Sequence, residues 1–316
     1  MGSAIFDRVI VQTETGARTM SVSEFERLPL PERMGYILKR QVSFQVGETS
    51  VDHRTALDAM LREAVHKAAY QAELSIAQRI QLSILPKDFS VEGLQISAAM
   101  YPATEVGGDY YDVLPVAGGA WIGVGDVAGH GVTAGIIMLM LQSAAAAAVR
   151  ARPDASPSEL VCLLNEILFE GVRKRMGADE HATFTLMRYE RSGLVTFAGA
   201  HEPILVLRAG SREVERIDTP GMWLGVRRAI EDVTRDSTID LGTGDLVVLH
   251  TDGISEASPF PGAEAFGIEG ICEAMLDARD GTVNEVRTHI MNRVREFTPQ
   301  QRKDDMTLVA LRFLGS

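Results

Sequence analysis

The stretch EVGGDYYDVLPVAGGAWIGVGDVAGHG, residues 105–131, holds two short β-type runs, 110–116 and 120–127, joined by a glycine-rich turn. Each run is apolar through its body and has an aspartate at its outer end: Asp109 follows Gly107 and Gly108, and Asp126 precedes a second glycine-rich turn. Short turns between consecutive strands imply antiparallel pairing. The same texture recurs at LQISAAMY (94–101), ATFTLMRYE (182–190), LVTFAGA (194–200), PILVLR (203–208), DSTIDL (236–241), DLVVLHTD (245–252) and MTLVALRF (306–313). Between these runs lie an alanine-rich apolar segment, 135–151, and three helical patterns, beginning near Ser156 and covering 267–278 and 283–297. Ser156, Pro157 and Glu159 form an N-cap, first-position proline and capping-box triplet. Helices clustered in sequence cover sheets from outside. The expected fold is therefore α+β: a four-layer α-β-β-α sandwich with two antiparallel sheets, preceded by a helical N-terminal and linker region.

Outward from this body, residues 53–85 place Leu57, Leu61, Val65, Ala68, Ala72, Ile76, Ile80 and Ile84 at spacings of three and four, one stripe of a long helix that Pro86 helps to end. Two readings are open: a helix packed on its own domain, or a coiled-coil-like linker that dimerises or transmits a signal. Residues 1–52 show weak periodicity and one helical pattern interrupted by Pro29 and Pro31, a small N-terminal regulatory element. The expected layout is thus 1–52, a helical linker over 53–85 and a catalytic domain over 86–316.

Composition narrows the function. At 46% hydrophobic and 23% charged, 316 residues suit one large core plus a smaller appendage. No signal peptide and no membrane span is visible, and a cytoplasmic protein is expected. A formal charge of −12 argues against nonspecific nucleic-acid binding and suits divalent cations. The two cysteines, Cys162 and Cys272, sit in apolar helical contexts without zinc-like spacing and read as buried structural thiols.

Acidic residues at strand ends occur four times: Asp109, Asp126 and Asp252 (in LHTDGISEA), each beside glycine, and Asp304 with Asp305 in DDMTLVAL. Singly, each reads as a turn residue. Four that converged would repel one another, since like charges ~4 Å apart cost about 4 kcal/mol at an effective dielectric of 20. Hard divalent cations resolve this, and oxygen-only ligation favours Mg2+ or Mn2+ over zinc. Two ions ~3.5–4 Å apart can bridge a water, lower its pKa and aim it at phosphorus. The glycines let the chain turn and free a carbonyl such as that of Val127 for the metal shell.

On these motifs the chain resembles the PPM (type 2C) metal-dependent serine/threonine protein phosphatases, in the bacterial branch that includes RsbU and SpoIIE. The text that carries the resemblance is EVGGDYYDV, GDVAGHGVTAG, the AHEP of FAGAHEPILVL, LHTDGISEA and DDMTLVAL, in family order over residues 90–313, about 70% of the chain. The preceding AELSIAQRIQLSILP is similar to the helical lead-in of RsbU-type enzymes. The resemblance implies that Asp126 bridges two Mn2+ or Mg2+ ions beside the Val127 carbonyl, that Asp109, Asp252 and Asp304 are further ligands, and that Asp126, Asp109 and Asp252 carry the hydrolysis of phosphoserine or phosphothreonine. It implies as substrate a phosphorylated STAS-type anti-anti-sigma protein in a partner-switching pathway, an upstream activator acting at the N-terminal region, and a homodimer. No arginine matches the phosphate-binding arginine of the eukaryotic members.

For the neighbouring residues, alternatives remain. Asp112 is either an acid that holds a metal-bound water or a strand residue facing solvent. His130 is either a general acid or a residue that shapes the Gly129–Gly131 loop. Asp305 reads as a neighbour of the ligand, and His181, His201 and His250 as hydrogen-bonded structural histidines. Ala200 and Gly135 depart from the family pattern, which has glycine and alanine there. A catalytically silent or autoinhibited phosphatase-like module is the alternative function; a nuclease is disfavoured because no basic, aromatic-rich strip is present.

Overall fold

The computed structural model describes residues 8–13, 16–39, 41–46, 49–51, 53–86, 89–103, 106–298 and 304–315. The chain divides into two compact units, Met1–Glu73 and Leu74–Ser316.

In the first unit, strands β1 (Arg8–Thr13) and β2 (Gly16–Ser21) lead into helices α1 (Val22–Arg27) and α2 (Leu30–Leu38), followed by β3 (Val42–Val46) and β4 (Thr49–Val51). The strands form an antiparallel sheet in the order β2-β1-β3-β4. Ser21 caps α1 in a reciprocal capping box with Glu24. Leu28, forced to extended backbone by Pro29, separates the two helices. The helical break at the prolines was legible, but the sheet is an addition to the sequence reading. Its core is small (Val9, Val11, Met20, Phe25 and Val42), and β2 buries only one side chain, so alternation there is faint.

Helix α3 (His53–Ile84) runs through the boundary between the units. Along its stripe Leu61, Val65, Ile76, Ile80 and Ile84 are all exposed. Of the two readings of this helix, the one in which the stripe is packed on its own domain is therefore not what the structure contains at these positions. The side chain of Leu57 lies outside the described residues.

The second unit contains β5 (Leu94–Tyr101), β6 (Asp109–Val116), β7 (Gly119–Val127), α4 (Val132–Ala151), α5 (Pro157–Phe169), a π-helical turn (Glu170–Met176), β8 (Ala182–Glu190), β9 (Leu194–Ala200), β10 (Ile204–Leu207), β11 (Val214–Ile217), β12 (Ser237–Asp240), β13 (Leu246–His250), the one-turn α6 (Asp252–Ser255), α7 (Gly267–Asp277), α8 (Val283–Phe297) and β14 (Met306–Phe313). Two five-stranded antiparallel sheets result, in the orders β11-β10-β13-β14-β5 and β12-β9-β8-β7-β6. This is the expected pair of sheets between helices.

Three apolar layers hold the sandwich together. Between the sheets lie Tyr111, Val113, Ile122, Val124, Val247, Leu249, Val309 and Leu311 with their neighbours. Outside one sheet, Trp121, Tyr110 and Phe184 pack on α4 and α5; outside the other, Leu246, Val248 and Leu308 pack on α7 and α8. Strict two-residue alternation decides which layer receives each side chain. Helix α5 starts with the anticipated Ser156–Pro157–Glu159 capping box. Helix α4 is the one described helix long and apolar enough to cross a membrane, and half of that stretch is buried in this core. Cys272 is buried as expected, whereas Cys162 is only half-buried, at the edge of the face through which α5 buries Leu160, Val161 and Leu164.

Candidate metal centre

The alternation that sorts the core also builds the site. In β6, Tyr111 and Val113 face the gap between the sheets, and two residues earlier the same face receives Asp109. In β7, Ile122 and Val124 face the gap and Asp126 follows; Asp109 and Asp126 are direct cross-strand partners. From the other sheet, Thr251 continues the Val247–Leu249 series and Thr307 precedes Val309 and Leu311 on the same face. The apolar gap therefore ends in a polar rim where the start of β6, the end of β7, the end of β13 and the start of β14 meet.

Asp109 is only 1% exposed, and its Oδ2 accepts hydrogen bonds from Thr251 Oγ1 at 2.9 Å and Thr307 Oγ1 at 2.6 Å. Thr251 Oγ1 in turn accepts the backbone N–H of Thr307 at 3.0 Å, which fixes the direction of its proton. Asp305 binds the loop before β6: Oδ1 accepts the amide of Ala103 at 2.7 Å and Oδ2 the amide of Gly108 at 2.8 Å. From the last turn of α3, the carboxamide of Gln81 closes on Gly107, with Nε2 donating to the carbonyl at 2.6 Å and Oε1 accepting the amide at 3.0 Å. The Gly108 backbone thus reaches Asp126 held from two sides. A Cβ on Gly108 would stand 2.7 Å from the Val127 carbonyl oxygen and 3.1 Å from Asp126 Oδ1, so the missing side chain keeps space open against those two oxygens.

Four carboxylates share this rim. Burial, then the charges of Asp252, Asp304 and Asp305, push Asp126 up to about 8. Burial and the charges of Asp126 and Asp305 hold Asp109 well above the ordinary carboxylate range, against the pull of its two threonines. Asp252 is raised by burial and by Glu256, and Asp304 by burial and Asp252. Asp252 opens the single turn α6 directly after β13, and Asp304 is the most open of the four. Among the described residues the side chains are not drawn round one point into a finished ligand cage. The donor set, carboxylates with one backbone carbonyl and the cradle left by Gly108, fits hard divalent cations, whose charge would let all four carboxylates ionise together.

The structure thus sets Asp109 and Asp126 opposite each other on β6 and β7 with Val127 beside them, brings Asp252 and Asp304 close enough for their charges to act on Asp126, and sorts their neighbours. Asp112 is three residues from Asp109, an odd separation that in a strand sends it to the opposite face. There it is buried on the α4 side, accepting the Val113 amide at 2.8 Å beside Gln142; it neither faces solvent nor reaches the rim. Asp305 spends both oxygens on backbone amides, the role of a neighbour. His130 is exposed on the loop and close enough to Asp304 for its charge to act there.

His201 donates through Nε2 to the His250 carbonyl at 2.9 Å, leaving Nδ1 to accept from Thr183 Oγ1 at 2.8 Å. His250 has no exposed surface and contacts the Thr251 carbonyl through Nδ1 at 3.2 Å. Both read as structural. His181 differs: its carbonyl accepts the Ala128 amide while its ring lies flat against Trp223. Thr251, Thr307 and Gln81 were not singled out from sequence. Strand parity relative to Asp109 marks the two threonines; nothing local marks Gln81.

The family model for Stage II sporulation protein E (SpoIIE) matches residues 117–314. The chain is 25% identical over 248 residues to the phosphoserine phosphatase RsbU of Bacillus subtilis (strain 168), covering 77% of this chain and 70% of that one. Among solved structures it is similar to the SiaA PP2C domain of Pseudomonas aeruginosa, with a TM-score of 0.66, 25% identity and coverage of 79% of this chain and 98% of that one. The phosphatase domain of SpoIIE from Bacillus subtilis shares the fold at 17% identity and a TM-score of 0.57, over 72% of this chain and 64% of that one. With the motifs, the sandwich and the acidic rim in agreement, the chain belongs to the SpoIIE family, in the RsbU/SpoIIE-like branch of the PPM-type, metal-dependent serine/threonine protein phosphatases.

Proposed function

We propose that Asp109, Asp126, Asp252 and Asp304, with the carbonyl of Val127, hold two divalent cations, Mn2+ or Mg2+, and that the enzyme hydrolyses phosphoserine or phosphothreonine on a STAS-type anti-anti-sigma protein. The observation that carries this reading is the cross-strand pair Asp109–Asp126, mounted on rigid strand ends with Asp252 and Asp304 around it. When bound, the ions supply an activated water and neutralise the phosphate for a one-step in-line displacement. The protein's own part is placement. Thr251 and Thr307 orient Asp109, leaving its second oxygen for a cation; Asp305 and Gln81 hold the glycine loop that brings Val127 and Asp126 within reach. The relation to a phosphoserine phosphatase, RsbU, supports the substrate class.

The same reading assigns 1–52 to regulation, 53–85 to a linker, and 86–316 to catalysis. The exposed apolar stripe of α3 supports a homodimer formed through that helix, and an upstream activator would act on the N-terminal unit.

The test is Mn2+-dependent hydrolysis of p-nitrophenyl phosphate by the wild type and by Asp126→Asn. Activity that requires metal and vanishes in the variant supports the metal assignment. No turnover by either protein favours a silent or autoinhibited module. A panel of phosphorylated STAS proteins then tests the substrate; failure on all of them removes that assignment and leaves the chemistry.

A further inference from the structure

Between β11 and β12 the chain makes a 19-residue irregular excursion, 218–236, in a domain whose other connections are mostly short. Such excursions are uncommon in compact domains and concentrate function. This one is firmly held. Leu224 exchanges two backbone hydrogen bonds with Ala182, at 3.0 and 2.8 Å, as a short extra strand contact. The Gly225 amide donates to Asn165 Oδ1 at 2.9 Å, Asn165 Nδ2 donates to the carbonyls of Arg227 and Arg228, and Arg173 Nε donates to the Gly225 carbonyl at 3.1 Å. Leu224 and Ile230 are wholly buried.

Trp223, immediately before the buried Leu224, is turned outward and 49% exposed. It is not loose: its ring stacks on His181 with centroids 5.1 Å apart and planes 8° from parallel. The stack on His181 holds the Trp223 ring in place and leaves its free surface as an apolar platform on a rigid mount. Its place is what gives it meaning. Ala182, which pairs with Leu224, pairs on its other side with Val127, and the His181 carbonyl accepts the Ala128 amide at 2.8 Å. Along this path His181 lies one strand spacing from the Val127–Ala128 backbone at the metal rim, and Trp223 two, about 10 Å. A protein phosphatase must lay polypeptide over the surface around its phosphate site, and an extended chain covers that distance in about three residues.

We propose that Trp223 and His181 form a specificity subsite that takes an apolar side chain of the substrate polypeptide about three residues from the phosphorylated serine or threonine. This rests on the metal-rim reading above for the position of the phosphate. Stacking fixes the platform before the substrate arrives, so it can discriminate by contact area without reordering a loop.

The test uses the full chain with synthetic phosphoserine peptides that differ only in carrying Leu or Gly two to four residues before or after the phosphoserine, with p-nitrophenyl phosphate as the substrate without flanks. The wild type is expected to hydrolyse one of the Leu peptides with kcat/KM at least about tenfold above its Gly counterpart. In Trp223→Ala that ratio should fall towards one, and Trp223→Phe should restore most of it. A ratio near one in the wild type, or the same ratio in wild type and Trp223→Ala, overturns the proposal.

If neither the peptides nor p-nitrophenyl phosphate is turned over, the silent or autoinhibited reading gains and the subsite is decided by binding. The chain has two tryptophans, and Trp121 is 1% exposed, so acrylamide quenching of fluorescence reports on Trp223. Protection by the Leu peptide and not by the Gly peptide upholds the subsite; equal protection, or none at millimolar peptide, overturns it.

Discussion

Replacing Gln81 with alanine tests whether the end of α3 controls the metal rim. Gln81 is 1% exposed and satisfies both backbone groups of Gly107, at 2.6 and 3.0 Å. Alanine deletes both bonds and leaves a buried N–H and a buried C=O without their partners. Each such group costs about 1–3 kcal/mol when unsatisfied, and water admitted to the space vacated by the side chain keeps the total near the lower end, about 2–4 kcal/mol. That loss falls on the two residues before Asp109, whose backbone reaches Asp126 and Val127 through Gly108. A displacement of ~1 Å at a reacting centre lowers rate by about 10². Gln81→Ala is therefore expected to lose on the order of 10² in kcat on p-nitrophenyl phosphate and to need more Mn2+ for half-maximal rate, at a temperature where thermal melting shows it folded. Gln81→Met, which fills the space without bonding and keeps water out, should be at least as impaired. A folded Gln81→Ala with wild-type kcat and wild-type metal dependence would refute the argument: the glycine loop would then be held by Asp305 alone, and the helix would have no grip on the site.

Three further outcomes follow from the same geometry. Thr307→Val removes the 2.6 Å bond to Asp109 at nearly constant volume, and about a 10–100-fold rise in the Mn2+ concentration for half-maximal activity is expected from metal titration. Gly135→Ala restores the residue common in the family, yet its Cβ would overlap Val106 Cγ1 beside the Gly107 loop; we expect about 1–3 kcal/mol of destabilisation in urea unfolding and reduced activity, and an unaffected variant would show that Val106 yields freely. His201 is held neutral, its pKa pushed down to about 3 chiefly by burial, so below the unfolded value near 6.5 the unfolded chain binds the proton and the folded chain does not. Stability should thus fall as pH drops from 6.5 towards 3, by at most about 2 kcal/mol at pH 5 from this residue, and urea unfolding of His201→Gln should show a correspondingly shallower pH dependence over that window.

Much of the second unit was legible because its strands are amphipathic on a two-residue period or apolar on both faces. LQISAAMY, ATFTLMRYE and MTLVALRF coincide with β5, β8 and β14 end to end. The four aspartates were legible for a related reason: each stands at the end of an apolar run, three of them (Asp109, Asp126 and Asp252) beside a glycine and Asp304 just ahead of the last strand. What periodicity did not settle is how one strand's rim meets another's. Asp112 was open between holding a metal-bound water and facing solvent; three residues from Asp109 along a strand, it lies on the opposite face, buried away from both. Thr251 and Thr307 look unremarkable in sequence, and only the pairing of β13 with β14 opposite β6 makes them the two donors to Asp109. The sheet of the first unit escaped for a different reason: its strands cover a core of five side chains, too few to impose a pattern on the text.

Gln81 shows the limit more sharply, and also what lies behind it. In the line of the helix it is one polar residue between Ile80 and Leu82, and its bond partner is 26 residues away. Nothing in a helical wheel distinguishes a glutamine facing water from one that closes on a buried peptide group. Yet the consequence is asymmetric. A solvent-facing glutamine tolerates any rotation of its helix, whereas this one loses two buried hydrogen bonds if α3 turns or slides by much more than an ångström, since hydrogen bonds weaken steeply with misalignment. The carbonyl of Ile84, one turn on, is held by Gln142 of α4 at 3.2 Å, so the last turn of α3 is tied to the core at a second point. A helix whose apolar stripe is exposed while its end is clamped to the metal-rim loop can shift that end only by breaking these bonds, so any movement imposed on α3 is expected to register at the rim as the loss of the Gln81 contacts.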